Sequence, residues 1–234
     1  MMYDAYQARQ DFLAPFRIFA DLTASALRQP YAGPWGNMLA RSFGASAELL
    51  ARGRLTHDRP SYDIGHVVVG GKESEIVEEP ALTTPFGTLL HFKKSIAVKQ
   101  PRVLLVAPMA GHFATLLRDT VRTLLPDHDV FITDWNNARD IPRSAGRFGL
   151  DDYVEHMMRF IEHLGPNTHV IGVCQPCNAL LAATALLAQN GSAAQPRSLT
   201  LMAGPVDTRI NPTQVNDLAA EHPIKWFAKN LIAT

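Results

Sequence analysis

The stretch that decides the fold is residues 168–191, THVIGVCQPCNALLAATALLAQNG. It opens with an apolar run containing β-branched side chains, which predicts a buried strand. It ends with an Ala/Leu-rich run closed by a glycine, which predicts a helix. Both cysteines of the chain, Cys174 and Cys177, lie between the two. The order of strand, turn and helix therefore places both thiols where a strand ends.

Two interpretations of this turn are open. Cys174 and Cys177 form a C-x-x-C pair, and a thiol at a helix N-terminus has a lowered pKa, as in thioredoxin-like redox sites. Alternatively, Cys174 is the nucleophile of a strained strand-to-helix elbow. Gly172 then allows the strand and helix to approach closely. Pro176 departs from the usual glycine at its position but suits a first helical turn.

The sequence around this stretch alternates between the hydrophobic pattern of strands and that of helices. Strands are predicted at RVLLVAP, DVFITDW and SLTLMAGPVD, and helices at FATLLRDTVRTLL and DDYVEHMMRFIEHLG. Such alternation predicts an α/β fold, a mostly parallel sheet with helices on both faces. Residues 64–95, broken by Gly70-Gly71 and by Pro85-Phe86-Gly87, predict an antiparallel hairpin or meander before it. Redox C-x-x-C sites usually follow an early strand, whereas Cys174 follows at least two β/α units.

The N-terminal part differs from the rest. Residues 1–60 are predicted to form a helical segment, with a turn at RQPYAGPWGN, and residues 61–234 a partial α/β domain. Phe12, Phe16 and Phe19 recur at helical spacing in this segment. Such a stripe is typical of core packing. The alternative is a hydrophobic surface that docks on a partner or a lipid-like body.

Composition limits the class of partner and the compartment. The 234 residues include 22 basic and 22 acidic side chains, so the formal net charge is zero. This balance argues against nucleic acid as the main partner, and it gives little protection against self-association. No apolar run is long enough to span a bilayer, and the N-terminus lacks the pattern of a secretory signal. With two cysteines and no disulfide framework, the protein is expected to be cytoplasmic.

The elbow hypothesis requires two donors for an oxyanion. One is the backbone N–H of Gln175, directly after the nucleophile. The other belongs to the loop after an earlier strand, where Met109 or Ala110 is the candidate. His112 follows in the same loop. In an α/β-hydrolase the acid and the histidine follow the nucleophile, so His112 is expected to line a cleft or support the loop, and a role as the base is the less favoured alternative.

Three further residues are candidates for a substrate cleft. Asp134 and Trp135 end a predicted parallel strand, where ligand contacts cluster, although Asp134 could equally cap a turn. Asp207 lies at the end of the last predicted strand and is either a displaced catalytic acid or a turn residue. His156 and His163 have no partner at metal-ligand spacing. Neither a metal nor a cofactor is therefore expected.

Long blocks of the sequence resemble one family. VAPMAGHFATLLRDTVRTLLPDHDVFITDWNNAR, VIGVCQP and LMAGPVDTRINPTQVN are similar to the intracellular poly(3-hydroxybutyrate) depolymerases of bacteria. These are relatives of the polyhydroxyalkanoate synthases and have the α/β-hydrolase fold. The resemblance implies ester hydrolysis at polyester granules in the cytoplasm, with Cys174 as the nucleophile. A synthase would need acyl-CoA, and Pro176 with the APMAGH block is more similar to the depolymerases.

The resemblance also implies what this chain lacks. In the family the catalytic Asp and His lie in the C-terminal part, so the chain is expected to be an N-terminal portion with an incomplete sheet. Weak or absent activity is the expected consequence, because a catalytic unit that loses its members loses most of its rate. Two other functions stay open. One is a granule-associated binding protein without turnover, and the other is a thiol oxidoreductase that uses Cys174 and Cys177.

Overall fold

The structure is a computed structural model that describes residues 2–27, 34–53, 59–109, 113–138 and 140–231. The chain divides into two compact units, Asp58–Ile210 and a second unit that combines Met1–His57 with Asn211–Thr234. The division expected after residue 60 stays a prediction. The elbow and both of its predicted oxyanion donors belong to the unit Asp58–Ile210.

One seven-stranded sheet forms the centre of this unit. Its strands are β1 (His66–Val69), β2 (Lys72–Thr83), β3 (Gly87–Lys94), β4 (Arg102–Val106), β5 (Asp129–Trp135), β6 (Thr168–Val173) and β7 (Ser198–Met202). They lie in the order β1-β2-β3-β5-β4-β6-β7. Strands β1 to β3 pair antiparallel, and β3 pairs antiparallel with β5. The remaining pairs are parallel.

This strand order defines the fold class. When the edge strand β1 is left out and strands β2 to β7 are numbered 1 to 6 along the chain, they lie in the sheet in the order 1-2-4-3-5-6. The second of these strands, β3, is antiparallel to both of its neighbours. That is the sheet of an α/β-hydrolase. The predicted fold is therefore confirmed, and the nucleophile position of the fold falls after β6.

Helices cover both faces of the sheet. Each face carries a cluster of buried hydrophobic side chains. Helix α3 (Arg118–Leu124) contributes to the cluster on one face, and α4 (Leu150–Leu164) and α5 (Cys177–Gln189) contribute to the cluster on the other. Strand β4 contributes side chains to both clusters, because Leu104 is buried on the α4–α5 side and Leu105 on the α3 side. Period-two alternation with both faces apolar is what a central parallel strand requires. The carboxyl ends of β4, β5 and β6 are thus fixed side by side.

The antiparallel meander predicted for residues 64–95 is confirmed. Gly70 and Gly71 connect β1 to β2 with φ angles of 55° and 80°. Two consecutive positive φ angles define the tight hairpin turn that glycine tolerates without strain. The second turn is closed by Thr84, whose hydroxyl donates to the Gly87 carbonyl at 2.8 Å.

The other unit is helical. It contains α1 (Met2–Leu27) and α2 (Pro34–Arg52), followed near the chain end by α6 (Gln214–Glu221) and α7 (Ile224–Asn230). Residues 28–33 of the predicted turn between α1 and α2 lie outside the described residues, and its last four residues, PWGN, form the first turn of α2, so the turn was predicted four residues too long. None of the helices in the described ranges has both the length and the apolar character needed to cross a membrane.

Candidate active site

Cys174 has the backbone geometry of a nucleophile elbow. It follows the last residue of β6, its φ is 65°, and its side chain is exposed. Its N–H donates to the Met202 carbonyl at 2.8 Å, and its own carbonyl accepts from the Cys177 N–H at 3.2 Å. A residue other than glycine in the left-handed region costs about 1–2 kcal/mol. The surrounding bonds hold Cys174 in that conformation, and such strain is typical of functional sites.

Close contact between β6 and α5 explains the glycine before the elbow. A Cβ atom on Gly172 would lie 2.4 Å from Leu180 Cδ1. Leu180 is fully buried in the first turns of α5. Gly172 therefore allows the helix to begin immediately after the turn, and the Cys174 side chain is carried at the end of the sheet.

Cys177 is a packing residue of the same turn. It is fully buried, and its thiol donates to the Gly172 carbonyl at 3.4 Å. A Cβ atom on Gly204 would lie 2.2 Å from Cys177 Cβ, so the chain after β7 passes directly against it. Burial raises the pKa of the Cys177 thiol, and the nearby Cys174 also raises it. This environment weighs against a redox pair, which needs a reactive second thiol.

The predicted oxyanion loop is joined to the elbow. The Met109 N–H donates to the side-chain Oε1 of Gln175 at 3.0 Å. Met109 follows β4 and Gln175 follows Cys174, so the two predicted donor residues lie together at the carboxyl ends of neighbouring strands. Ala110 and His112, the other predicted residues of this loop, lie outside the described residues.

Two side chains of β5 hold the start of this loop. The Ala107 N–H donates to Thr133 Oγ1 at 3.0 Å, and the Ala107 carbonyl accepts from Trp135 Nε1 at 3.2 Å. Thr133 is fully buried and Trp135 is 6% exposed. The structure thus gives Trp135, predicted for the substrate cleft, a buried contact that fixes the backbone just before Met109.

Asp134 lies on the opposite face of β5 from these two residues. Its Oδ2 is 2.5 Å from Arg59 Nε, and among the described residues its buried Oδ1 has no hydrogen-bond partner. Burial raises the pKa of the Asp134 carboxyl, against the opposing effect of the Arg59 charge. Arg59 also lies over the ring of Tyr62 at 5.0 Å from its centroid. The contact of Asp134 with a substrate stays a prediction.

Asp207 is held by its neighbour in the chain. Both of its carboxylate oxygens accept from the Arg209 guanidinium at 2.9 Å, and Oδ1 also accepts the Arg209 N–H. The hydrogen bonds from Arg209 lower the pKa of the exposed Asp207 carboxyl. The same segment is fastened to α5 by Asn178, which donates to the Pro205 carbonyl at 3.0 Å. This is the geometry of a turn residue, and a catalytic role for Asp207 stays a prediction.

Within the described ranges, no hydrogen bond joins the Cys174 thiol to another residue, and no group of three metal-ligating side chains comes together. His156 belongs to an aromatic cluster with Phe86, Phe148 and Phe160, and its Nδ1 is 2.7 Å from the Asp152 carbonyl. The site therefore consists of an exposed thiol, a fixed backbone around it and the nearby Met109 N–H.

Sequence reasoning missed several supporting residues. Thr133, Gly204 and the side chain of Gln175 act through contacts between segments that are distant in the sequence. Periodicity cannot report such contacts. A local signal exists for Gly204 alone, because a glycine inside a predicted strand marks a close backbone approach.

Comparison with solved structures finds proteins of similar fold at low identity. A Staphylococcus aureus protein provisionally assigned as an esterase is 16% identical, with a TM-score of 0.45 over 83% of this chain and 60% of that one. An α/β hydrolase from the metagenome of Lake Arreo, Spain, is 17% identical, with a TM-score of 0.41 over 82% of this chain and 59% of that one. The chain thus spans about 60% of their length. No curated protein matches the chain.

Fold and elbow together define a chain of the α/β-hydrolase class. Within that class, residues 203–234 match the family model described as the C-terminus of PHB de-polymerase. The matched residues begin immediately after β7 and include the block AGPVDTRINPTQVN. The resemblance to this family is therefore confirmed over residues 203–234.

Proposed function

We propose that this protein hydrolyses ester bonds of a poly(3-hydroxybutyrate)-type polyester through a thioester on Cys174. The observation that carries the proposal is the exposed Cys174 with a φ of 65°, held between a parallel strand and a helix. A thiol so placed reaches a bound carbonyl from the end of the sheet, as elbow nucleophiles do.

The proposed chemistry has two steps. The Cys174 thiolate, its proton given to a base in solution, attacks the ester carbonyl carbon, and a C–S bond forms while the carbonyl oxygen becomes an oxyanion. The oxyanion then collapses, the C–O bond to the alcohol part of the polymer breaks, and that oxygen takes up a proton. Water attacks the thioester in the second step, which releases a carboxylic acid and restores the thiol.

Two backbone donors are proposed for the oxyanion. The N–H of Gln175 is next to the nucleophile, and the Met109 N–H is close to it, as its 3.0 Å bond to the Gln175 side chain requires. Removal of one such donor costs about 10²–10³ in rate in well-studied hydrolases. The buried bonds of Ala107 to Thr133 and Trp135 support this geometry.

The substrate class rests on the family resemblance. The sequence blocks that surround Met109 and Cys174, and the match over residues 203–234, both favour a poly(3-hydroxybutyrate) substrate. A polyester granule in the cytoplasm is the proposed location. Within the described residues no His, Asp or Glu hydrogen-bonds the Cys174 thiol, so we expect slow turnover.

Hydrolysis of amorphous poly(3-hydroxybutyrate) granules tests this proposal. Release of 3-hydroxybutyrate by the protein is compared with release by Cys174→Ala and by Cys177→Ala. We expect slow release that the first substitution abolishes and the second preserves, because Cys177 is a buried packing residue. Equal background release by the unmodified protein and by Cys174→Ala would refute the enzyme function.

A second candidate function is binding to the granule without turnover. Helices α1 and α2 carry large apolar side chains that are all at least 52% exposed: Phe12, Phe16, Ile18, Phe19, Leu22, Met38, Phe43, Leu49 and Leu50. Phe12, Phe16 and Phe19 follow the spacing of one helix face. An apolar surface of this kind suits a hydrophobic polymer surface, and it also favours self-association.

Co-sedimentation with granules separates these outcomes. Serine replacement of Phe12, Phe16 and Phe19 is expected to release the protein from granules. The matched control replaces three exposed apolar residues of the other unit, Val77, Leu116 and Leu150, and is expected to leave binding intact. A protein that stays wholly in the supernatant would refute the binding function, and sedimentation without granules would indicate self-association.

A further inference from the structure

The side chain of Gln175 occupies one of the two donors that the proposed reaction needs. Its Oε1 accepts the Met109 N–H at 3.0 Å, across 66 residues of sequence. An amide oxygen is a neutral acceptor of the same element and size as a substrate carbonyl oxygen. The Met109 N–H, the proposed second oxyanion donor, thus already has an internal acceptor.

The backbone on each side of this contact has anchors of its own. The backbone directly before Met109 is fixed at Ala107 by bonds to the buried side chains of Thr133 and Trp135. The elbow on the other side is fixed by the bond from the Cys174 N–H to the Met202 carbonyl. Gln175 is exposed, so its contact with Met109 is one that solvent and a ligand can reach.

An oxyanion competes better for this donor than a neutral amide does. Hydrogen bonds to a charged acceptor are roughly twice as strong as neutral ones. The ground-state ester carbonyl, in contrast, is neutral and has no such advantage over Gln175. Displacement of the side chain therefore becomes favourable as negative charge develops on the substrate.

We propose that the Gln175 side-chain amide is an internal occupant of the oxyanion site, which accepts the Met109 N–H until a reacting carbonyl displaces it. The inference rests on the proposed function for its catalytic consequence. Its structural part, the competition for one N–H, stands on the contact alone. Gln175 then has two roles. Its backbone N–H binds the oxyanion, and its side-chain oxygen competes with the substrate oxygen for the Met109 N–H.

The test compares acylation of Cys174 with its alkylation. Acylation by p-nitrophenyl 3-hydroxybutyrate passes through an oxyanion and is followed by release of p-nitrophenolate. Alkylation by iodoacetamide reports the same thiol but develops no oxyanion. The ratio of the two rate constants therefore isolates the oxyanion site from changes in thiol access or thiolate fraction.

Two substitutions change the acceptor in opposite ways. Gln175→Met keeps the length of the side chain and removes the amide oxygen, so the ratio is expected to rise about two- to twelvefold, the range set by the net value of a neutral hydrogen bond. Gln175→Glu supplies a charged acceptor that holds the N–H and repels an oxyanion. Its ratio is expected to fall, and to recover as the pH is lowered and the carboxylate is protonated. An unchanged or lower ratio in Gln175→Met would overturn the inference.

A second measurement is independent of catalysis. Hydrogen exchange of the Met109 amide, followed by NMR with methionine-selective ¹⁵N labelling, is expected to be faster in Gln175→Met than in the unmodified protein. Unchanged exchange would show that the contact does not protect the donor, and would overturn the inference whatever the activity. If exchange rises but no variant is acylated, the proposed function fails and the internal contact remains.

Discussion

The left-handed conformation of Cys174 predicts an inverted preference between glycine and alanine. Alanine at this position keeps a Cβ and therefore the cost of about 1–2 kcal/mol for a positive φ. Glycine removes that cost and pays about 0.5–1 kcal/mol in conformational entropy. With a φ of 65° at Cys174, we expect Cys174→Gly to be more stable than Cys174→Ala by about 0.5–1 kcal/mol.

A matched pair of variants gives the opposite result at an ordinary helical position. Ala182 is exposed in α5, and Ala182→Gly is expected to cost about 1 kcal/mol. Urea unfolding at equal m-values measures both differences. A Cys174→Gly variant that is less stable than Cys174→Ala, by an amount similar to the loss at Ala182, would refute the strained elbow.

Three further predictions concern packing, pH and thiol reactivity. Gly204→Ala is expected to destabilise the protein more than Gly172→Ala in urea unfolding, because the Cβ at position 204 would lie 2.2 Å from the Cys177 Cβ and the Cβ at position 172 would meet the end of a flexible leucine. Overpacking at position 204 is expected to cost about 1–3 kcal/mol. Equal losses would contradict the close approach after β7. The pKa of the Asp129 carboxyl is lowered from 3.8, since hydrogen bonding to His91 and nearby positive charges outweigh the effect of burial. The stability that Asp129 contributes is therefore present above pH 3.8 and is lost as the pH falls further. A difference in unfolding free energy between the protein and Asp129→Asn that does not change between pH 6 and pH 2 would contradict this. Iodoacetamide is expected to label Cys174 and spare Cys177 in the folded protein, because Cys177 is buried with a raised pKa, and mass spectrometry of peptides would reveal equal labelling if that is wrong.

The elbow could be predicted because all of its signals are local. An apolar strand, a small residue at position 172, a cysteine and an Ala/Leu helix follow one another within 24 residues, and each has its own periodicity or conformational preference. The meander before it was predictable for the same reason, since Gly70-Gly71 specifies a tight turn by itself.

The environment of the elbow could not be predicted in the same way. The insertion of β5 between β3 and β4 is a choice among long-range pairings that periodicity leaves undetermined. The contacts of Ala107 with β5 depend on that choice, and the bond between Met109 and Gln175 depends on another long-range pairing, that of β4 with β6. Asp134 illustrates the limit, because the sequence placed it correctly at a strand end but could not identify Arg59 as its partner.

The most direct test of the central claim is the covalent intermediate on Cys174. The protein is mixed with p-nitrophenyl 3-hydroxybutyrate, quenched in acid, and analysed by intact-mass and peptide mass spectrometry. One 3-hydroxybutyryl group is expected on the peptide that contains Cys174, absent in Cys174→Ala and retained in Cys177→Ala. Acylation spread over lysines and both cysteines, or an equal adduct in Cys174→Ala, would contradict it.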